Sequence, residues 1–326
     1  MKRVYIYSIP HEYAGHKISE FLRHQGYSEQ SLTVLRHAGY DSMIADGMPL
    51  HMNHRLAGGE KLEVVLVETA SSEKIPPVEL PIDIVYEDED LLVVNKPARM
   101  PIHPSMKNYY NSLGNAVMYH MLHISPEMND MSNGAFVYRC INRLDRDTTG
   151  LTIIAKNMIV AGMLYEQMKS RRIRRTYTAI VSGNVDDYNS FPTPSASQDR
   201  IQYYKEADGW RTIDLPLGRK PGSTVERAVD IKKGDPAVTH FKLIDFFGDI
   251  DASLVECHLD TGRTHQIRVH MTAIGHPLLG DFLYNPDDRR LERQALHAGR
   301  LEFIHPITHE AMCFEVPMPE DMQSLL

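Results

Sequence analysis

Three polar stretches of the chain carry side chains whose types and spacing suit chemistry. Asn142-Arg143-Leu144-Asp145-Arg146-Asp147-Thr148-Thr149-Gly150-Leu151 sets a carboxylate among arginines, in a polar turn that runs into an apolar strand. Arg175-Thr176-Tyr177 places a phenol near a guanidinium. Thr261-Gly262-Arg263-Thr264-His265-Gln266-Ile267-Arg268-Val269-His270 holds two arginines and two histidines. A carboxylate among positive charges is favoured as the anion, and the anion suits a nucleophile or base better than a general acid. From these residues alone a salt-bridged turn is the preferred account of Asp145, with a catalytic carboxylate as the alternative. His103, His265 and His270 are potential metal ligands, but His265 and His270 stand five apart outside an HExxH frame. Cys140, Cys257 and Cys313 form no CxxC pair, which argues against a zinc knuckle and a disulfide framework. No metal is expected.

Charge adds a second clue. The net charge of −8 does not suggest a polyanion binder. Its distribution permits one, although on charge alone a solvated helix end is the preferred reading: between Arg139 and Arg175 stand nine Lys or Arg against three Asp or Glu, while Glu87-Asp88-Glu89-Asp90 concentrates acid elsewhere. Lys169, Arg171, Arg172, Arg174 and Arg175 form a basic cluster able to hold phosphates, and a solvated helix end stabilised by the macrodipole is the competing reading.

The elements that must position these groups follow from pattern. Ile18, Phe21 and Leu22 fall at helical spacing, and Ser28 can cap a second helix carrying Leu32 and Leu35. Ile44-Ala45-Asp46-Gly47 reads as a strand entering a tight turn, and Leu62, Val64 and Leu66 alternate as in a half-buried strand. Residues 1–70 thus form a small α/β module. Residues 71–81 hold three prolines and read as a flexible linker. Beyond it, Ile82-Asp83-Ile84-Val85-Tyr86, Leu91-Leu92-Val93-Val94, Leu151-Thr152-Ile153-Ile154-Ala155 and residues 176–181 read as strands. A helix is expected over residues 158–172, with Met163, Leu164 and Met168 buried. Residues 186–209 read as an inserted loop. Residues 254–259 and 266–269 give later strand or helix segments. No apolar run approaches the roughly 20 residues of a membrane span, and Met1-Lys2-Arg3-Val4-Tyr5-Ile6-Tyr7 carries no signal-peptide pattern. A cytoplasmic protein is expected.

This constellation resembles the pseudouridine synthases of the ribosomal large-subunit (Rlu) type. The family pattern His-Arg-Leu-Asp-x-x-Thr-Ser-Gly-Leu matches Arg143-Leu144-Asp145, Thr148 and Gly150-Leu151. Asn95-Lys96-Pro97 with His103-Pro104, Thr176-Tyr177-Thr178-Ala179-Ile180-Val181-Ser182-Gly183, Pro216-Leu217-Gly218-Arg219, Pro236-Ala237-Val238-Thr239, the run at 261–270, Gly275-His276-Pro277-Leu278-Leu279-Gly280-Asp281, Leu296-His297-Ala298 and His305-Pro306 follow in family order. The resemblance spans about residues 81 to 319. Asn142 stands where the family has His, Thr149 where it has Ser, and Arg99 where Gly is common.

The resemblance implies an α+β catalytic domain over residues 81–326, a mixed and largely antiparallel sheet with flanking helices and a central cleft. Residues 71–80 would link it to the 1–70 module, which resembles the small RNA-binding domain of the S-four type. It implies isomerisation of a uridine in structured RNA, ribosomal RNA of the large subunit first and tRNA second, by a monomer without cofactor. Asp145 would act as the catalytic carboxylate, Tyr177 would pack against the base, and Arg268 would pair with Asp145, with Arg263 the competing choice. Arg143, Arg146, Lys169, Arg171, Arg172, Arg174, Arg175, Arg263 and His265 are the expected RNA contacts. A noncatalytic RNA-binding or ribosome-assembly factor on the same scaffold is the alternative. A glycosidase using Asp145 and Asp147 is disfavoured, because residues two apart on a strand face opposite ways.

Overall fold

A computed structural model of the protein describes residues 1–124, 136–187, 202–205 and 208–326. Its first sheet is built from β1 (Lys2–Ser8), β2 (Met43–Ala45), β3 (Met48–Pro49) and β4 (Lys61–Val67), in the order β1-β4-β2-β3. Period-two alternation turns Leu62, Val64 and Leu66 of β4 inward, onto Phe21 and Leu22 of α1 (Ile18–His24) and Leu32 and Leu35 of α2 (Glu29–His37). Ser28 caps α2 as expected, its hydroxyl accepting from the Ser31 amide at 3.1 Å.

The second sheet is larger. Its strands are β5 (Asp83–Glu87), β6 (Leu91–Lys96), β7 (Arg139–Cys140), β8 (Thr149–Ala155), β9 (Arg174–Ser182), β10 (Gln202–Lys205), β11 (Arg211–Asp214), β14 (Val238–Phe247), β15 (Ala252–Leu259), β16 (Leu296–Ile304) and β17 (Ala311–Glu315). The order is β10-β11-β14-β15-β9-β16-β8-β6-β5, with β17 on β16 and β7 on β8. β12 (Leu217–Arg219) and β13 (Arg227–Val229) form a separate ribbon. Among the described residues, all pairings in the large sheet are antiparallel except β16 with β8.

That parallel joint shapes the molecule. Both faces of β8 are buried, because the sheet is a middle layer. α3 (Leu113–Tyr119) and α5 (Gln266–Ala273) cover one face, packing on Val94, Ile154, Ala179 and Val181. α4 (Met158–Lys169) covers the other, over Leu91, Val93 and Ile153. At the joint, Gly150 has φ +113°, and a Cβ there would stand 2.3 Å from the Ala298 carbonyl oxygen. Only glycine lets the two backbones approach. Past Gly299, β16 leaves β8 and pairs with β17 from Arg300 onward.

Several expectations are corrected. The helix expected to reach residue 172 ends at Lys169, because Arg171 takes φ +58° and turns the chain into β9. The loop expected over 186–209 contains β10, and most of the remainder lies outside the described residues. The linker is bonded along its length: the Ser72 amide donates to the Phe136 carbonyl at 3.0 Å, and Asn115 Nδ2 donates to the Pro76 carbonyl at 2.7 Å. Ile159 and Met163 of α4 join the core under the first sheet, and Asp90 accepts from Arg3 and from Tyr5 Oη. Among the described residues no helix is long and apolar enough to cross a membrane.

Candidate active site

Asp145 sits in the turn between β7 and β8, where its carbonyl accepts from the Thr148 amide at 3.2 Å. Buried Leu144 pins the turn to the core, leaving Asp145 half-buried at the wall of a cavity of about 520 Å³. Lys96, fully buried at the end of β6, anchors the same turn from below. Its Nζ donates to the carbonyls of Pro97, Met100 and Arg146 at 2.6, 2.9 and 3.0 Å. Burial pulls its pKa down to about 7, against the opposing pull of Asp147 and Asp145. Three acceptors nonetheless match the three N–H bonds of the ammonium and not the two of the amine.

Arg268 reaches Asp145 from α5. Its Nη1 donates to Asp145 Oδ2 at 3.1 Å, while Nε and Nη2 grip Asp281 at 2.7 and 2.8 Å. Both Arg268 and Asp281 are buried. Burial opposes the cation, but Asp281 and Asp145 outweigh it, and the guanidinium pKa rises above its ordinary value. The Asp281 backbone partners, the amides of Leu283 and Tyr284, fix that carboxylate in turn. Of the two arginines, Arg268 is the one bonded to Asp145. Arg263 lies at the rim, donating to the Pro236 carbonyl and standing 3.6 Å from Asp235.

Tyr177, on the inward face of β9, is buried in the same cavity wall, with Arg175 Nη1 3.5 Å from its hydroxyl. His265 caps α5 in the left-handed region at φ 59°. Its Nδ1 is 2.9 Å from Tyr284 Oη and its Nε2 3.9 Å from Asp145 Oδ2. Burial lowers its pKa, so the neutral imidazole is favoured.

The structure thus brings Arg143, Asp145, Arg175, Tyr177, Arg263, His265 and Arg268 to one cavity. Other expected contacts lie elsewhere. Arg146 is turned onto Asp147 at 2.7 Å and does not line the cavity, and Asp147 is buried beneath it. Lys169, Arg171, Arg172 and Arg174 are exposed beyond the lining. Of these, Arg171 is paired with Asp260, a lining residue, at 2.8 Å. Asn142 is a backbone peg, its amide accepting from Ile153 N at 2.8 Å and donating to the Leu151 carbonyl at 3.0 Å. Thr149 Oγ1 stays 2.8 Å from His297 Nδ1. Arg99 has φ 61°, which explains why glycine is common there, and its side chain pairs with exposed Glu292. Lys96, Asp281 and Tyr284 had no assigned role in the sequence reading. Lys96 and Asp281 lie within matched motifs, and only their tertiary partners reveal what they do.

A family model described as RNA pseudouridylate synthase matches residues 90–273, which carry the Asp145 turn, Tyr177 and Arg268. The chain belongs to this family. It is similar to the ribosomal large subunit pseudouridine synthase D of Nitrosomonas europaea, 32% identical over 98% of this chain and 86% of the relative. It is also 34% identical to the uncharacterized RNA pseudouridine synthase YjbO of Bacillus subtilis, over 95% of this chain and 98% of that one. Among solved structures it resembles human RNA pseudouridylate synthase domain containing 1, with TM-score 0.53 and 25% identity over 74% of this chain and 85% of that chain. This pseudouridine synthase therefore has the expected α+β fold, and RNA is its substrate.

Proposed function

We propose that Asp145 is the catalytic carboxylate, that Tyr177 packs against the target base, and that Arg268 holds Asp145 in place. The supporting observation is the Asp145–Arg268–Asp281 chain, which presents an anion at the wall of a cavity large enough for a nucleotide. Isomerisation breaks the bond from N1 to the anomeric carbon, turns the uracil, and forms a bond from carbon 5 to the same sugar carbon. Carbon 5 loses a proton and N1 ends with one, so the overall change is neither redox nor hydrolytic. Neither cofactor nor metal is needed. Attack on the sugar, attack on the base and removal of the 2′ proton all call on the anionic form of Asp145. The Tyr177 hydroxyl, beside Arg175, assists loss of the carbon 5 proton.

A base must leave its stack to enter this cavity, at a cost of a few kcal/mol. Arg143, Arg175, Arg263 and His265 at the cavity, with Arg146, Lys169, Arg171, Arg172 and Arg174 outside it, offset that cost through contacts to the RNA. Residues 1–70 act as a small RNA-binding module joined through 71–80 to the catalytic unit at 81–326. The protein works as a monomer in the cytoplasm, away from membranes. Large-subunit ribosomal RNA is the target, supported by the names of several relatives, with tRNA as the second choice. Pseudouridine mapping of total RNA from cells with and without the gene tests this. At least one position in large-subunit ribosomal RNA should lose its signal in the deletion strain. Loss confined to tRNA would move the target there, and an unchanged map would contradict the assignment.

A further inference from the structure

The cleft that holds Asp145 has a neighbour. A second cavity, of about 400 Å³, is lined by Arg143, Arg219, Arg227, Arg263, Asp235 and Gly262. Arg143, Gly262 and Arg263 line both cavities, so the two share a wall. Four arginines therefore face one carboxylate, and Asp235 is already opposite Arg263. Among the described residues, Arg143, Arg219 and Arg227 have no ion-pair partner.

Two features mark this as a built site. Arg219 and Arg227 are direct cross-strand partners in the β12–β13 ribbon. Like charges placed opposite each other weaken a sheet, so the pairing works against the ribbon unless an anion lies between them. Arg227 Nη1 is also shielded from solvent with no hydrogen-bond partner among the described residues. Such a donor is costly to leave unmet, and an anionic oxygen would satisfy it. The ribbon is held in register with the first cavity. The Arg227 amide donates to Tyr284 Oη at 2.8 Å, and that oxygen lies 2.9 Å from His265 Nδ1.

We propose that the second cavity is a phosphate-binding subsite for a nucleotide flanking the target uridine, with Arg219 and Arg227 as its dedicated contacts. This rests on the reading that the target uridine occupies the Asp145 cleft. A strand that delivers one nucleotide to that cleft carries its next phosphate past the shared wall. Forked guanidiniums fit phosphate oxygens in pairs, so the subsite would fix the strand's path and contribute to substrate choice.

The test uses the full chain and a synthetic oligoribonucleotide carrying the mapped target uridine, tritiated at carbon 5. Versions with one neutral methylphosphonate are made at each of the two linkages on either side. On intact RNA, the double variant Arg219→Gln/Arg227→Gln should raise KM on the order of tenfold, with most of the loss in kcat/KM carried by KM. One methylphosphonate position should slow the wild type by a comparable factor and add little to the variant's defect. A variant with wild-type KM, or full additivity at every position, would overturn the subsite. Should the double variant fail to fold, wild-type indifference to all the methylphosphonates overturns it and sensitivity at a single linkage supports it. No tritium release by the wild type from intact RNA would instead sink the isomerase reading beneath it.

Discussion

At Arg268 one guanidinium faces two carboxylates, and the geometry divides its donors between them. Asp281 takes Nε and Nη2, a paired grip that fixes the plane of the group, and Nη1 is left aimed at Asp145. Arg268→Lys keeps the charge but replaces the rigid fork with a single flexible ammonium. Such a variant cannot grip Asp281 at two points and also position Asp145. A displacement of about 1 Å at a reacting group can cost roughly 100-fold, so Arg268→Lys should lower kcat by about that factor while RNA binding changes little. Single-turnover kinetics beside a filter-binding titration would check it, and wild-type kcat would contradict it. That Asp145, Tyr177 and Arg268 would meet in one cleft was legible in the sequence, because each stands in a matched motif. Asp281, Lys96 and Tyr284 were not, because their parts exist only once α5, the loop after β6 and the segment after Asp281 come together in space. Asn142, which stands where the family has His, bonds through its amide to the β8 backbone.

Elements set which arginines can reach RNA. α4 stops at Lys169, and the left-handed Arg171 turns the chain so that β9 delivers Arg175 and Tyr177 to the cavity. Arg172 and Arg174 stay exposed outside the lining, while Arg171 is tied to Asp260. Replacing Arg171, Arg172, Arg174 and Arg175 together with Gln should flatten the salt dependence of RNA binding. Each lost phosphate contact removes roughly 0.7 to 0.9 from the logarithmic slope. Because Arg171 has a carboxylate partner, the total loss should fall short of four contacts' worth. An unchanged slope in a salt titration would return the cluster to the role of a solvated helix end. Most elements were legible because their alternation or helical spacing is clean. The end of α4 was not, since basic residues continue without a breaker past the real stop. Nor was the fork of β16, which depends on Gly150 meeting Ala298 from a strand distant in sequence.

Across the whole molecule, one sheet links the site to the stability of the fold. His270 of α5 is fully buried between Thr239 Oγ1 at 2.8 Å and the Leu215 carbonyl at 2.9 Å. Burial lowers its pKa from 6.5 to about 4, so the folded chain keeps it neutral where the unfolded chain binds a proton. Stability should therefore fall as pH drops from about 6.5 towards 4, by up to about 3 kcal/mol from this residue. Burial shifts His103, His265, His276 and His297 in the same direction. Denaturant titrations at pH 7, 5 and 4 should show the decline, and His270→Gln should make it shallower; an equally steep decline in that variant would contradict the assignment. With Asp145 as the catalytic carboxylate proposed above, the whole assembly serves to hold RNA and present a uridine to it. Asp145→Asn keeps the size of the side chain and removes its charge. With RNA containing the mapped target, tritiated at carbon 5, this variant should bind as the wild type does and release no tritium, whereas undiminished release would contradict the account.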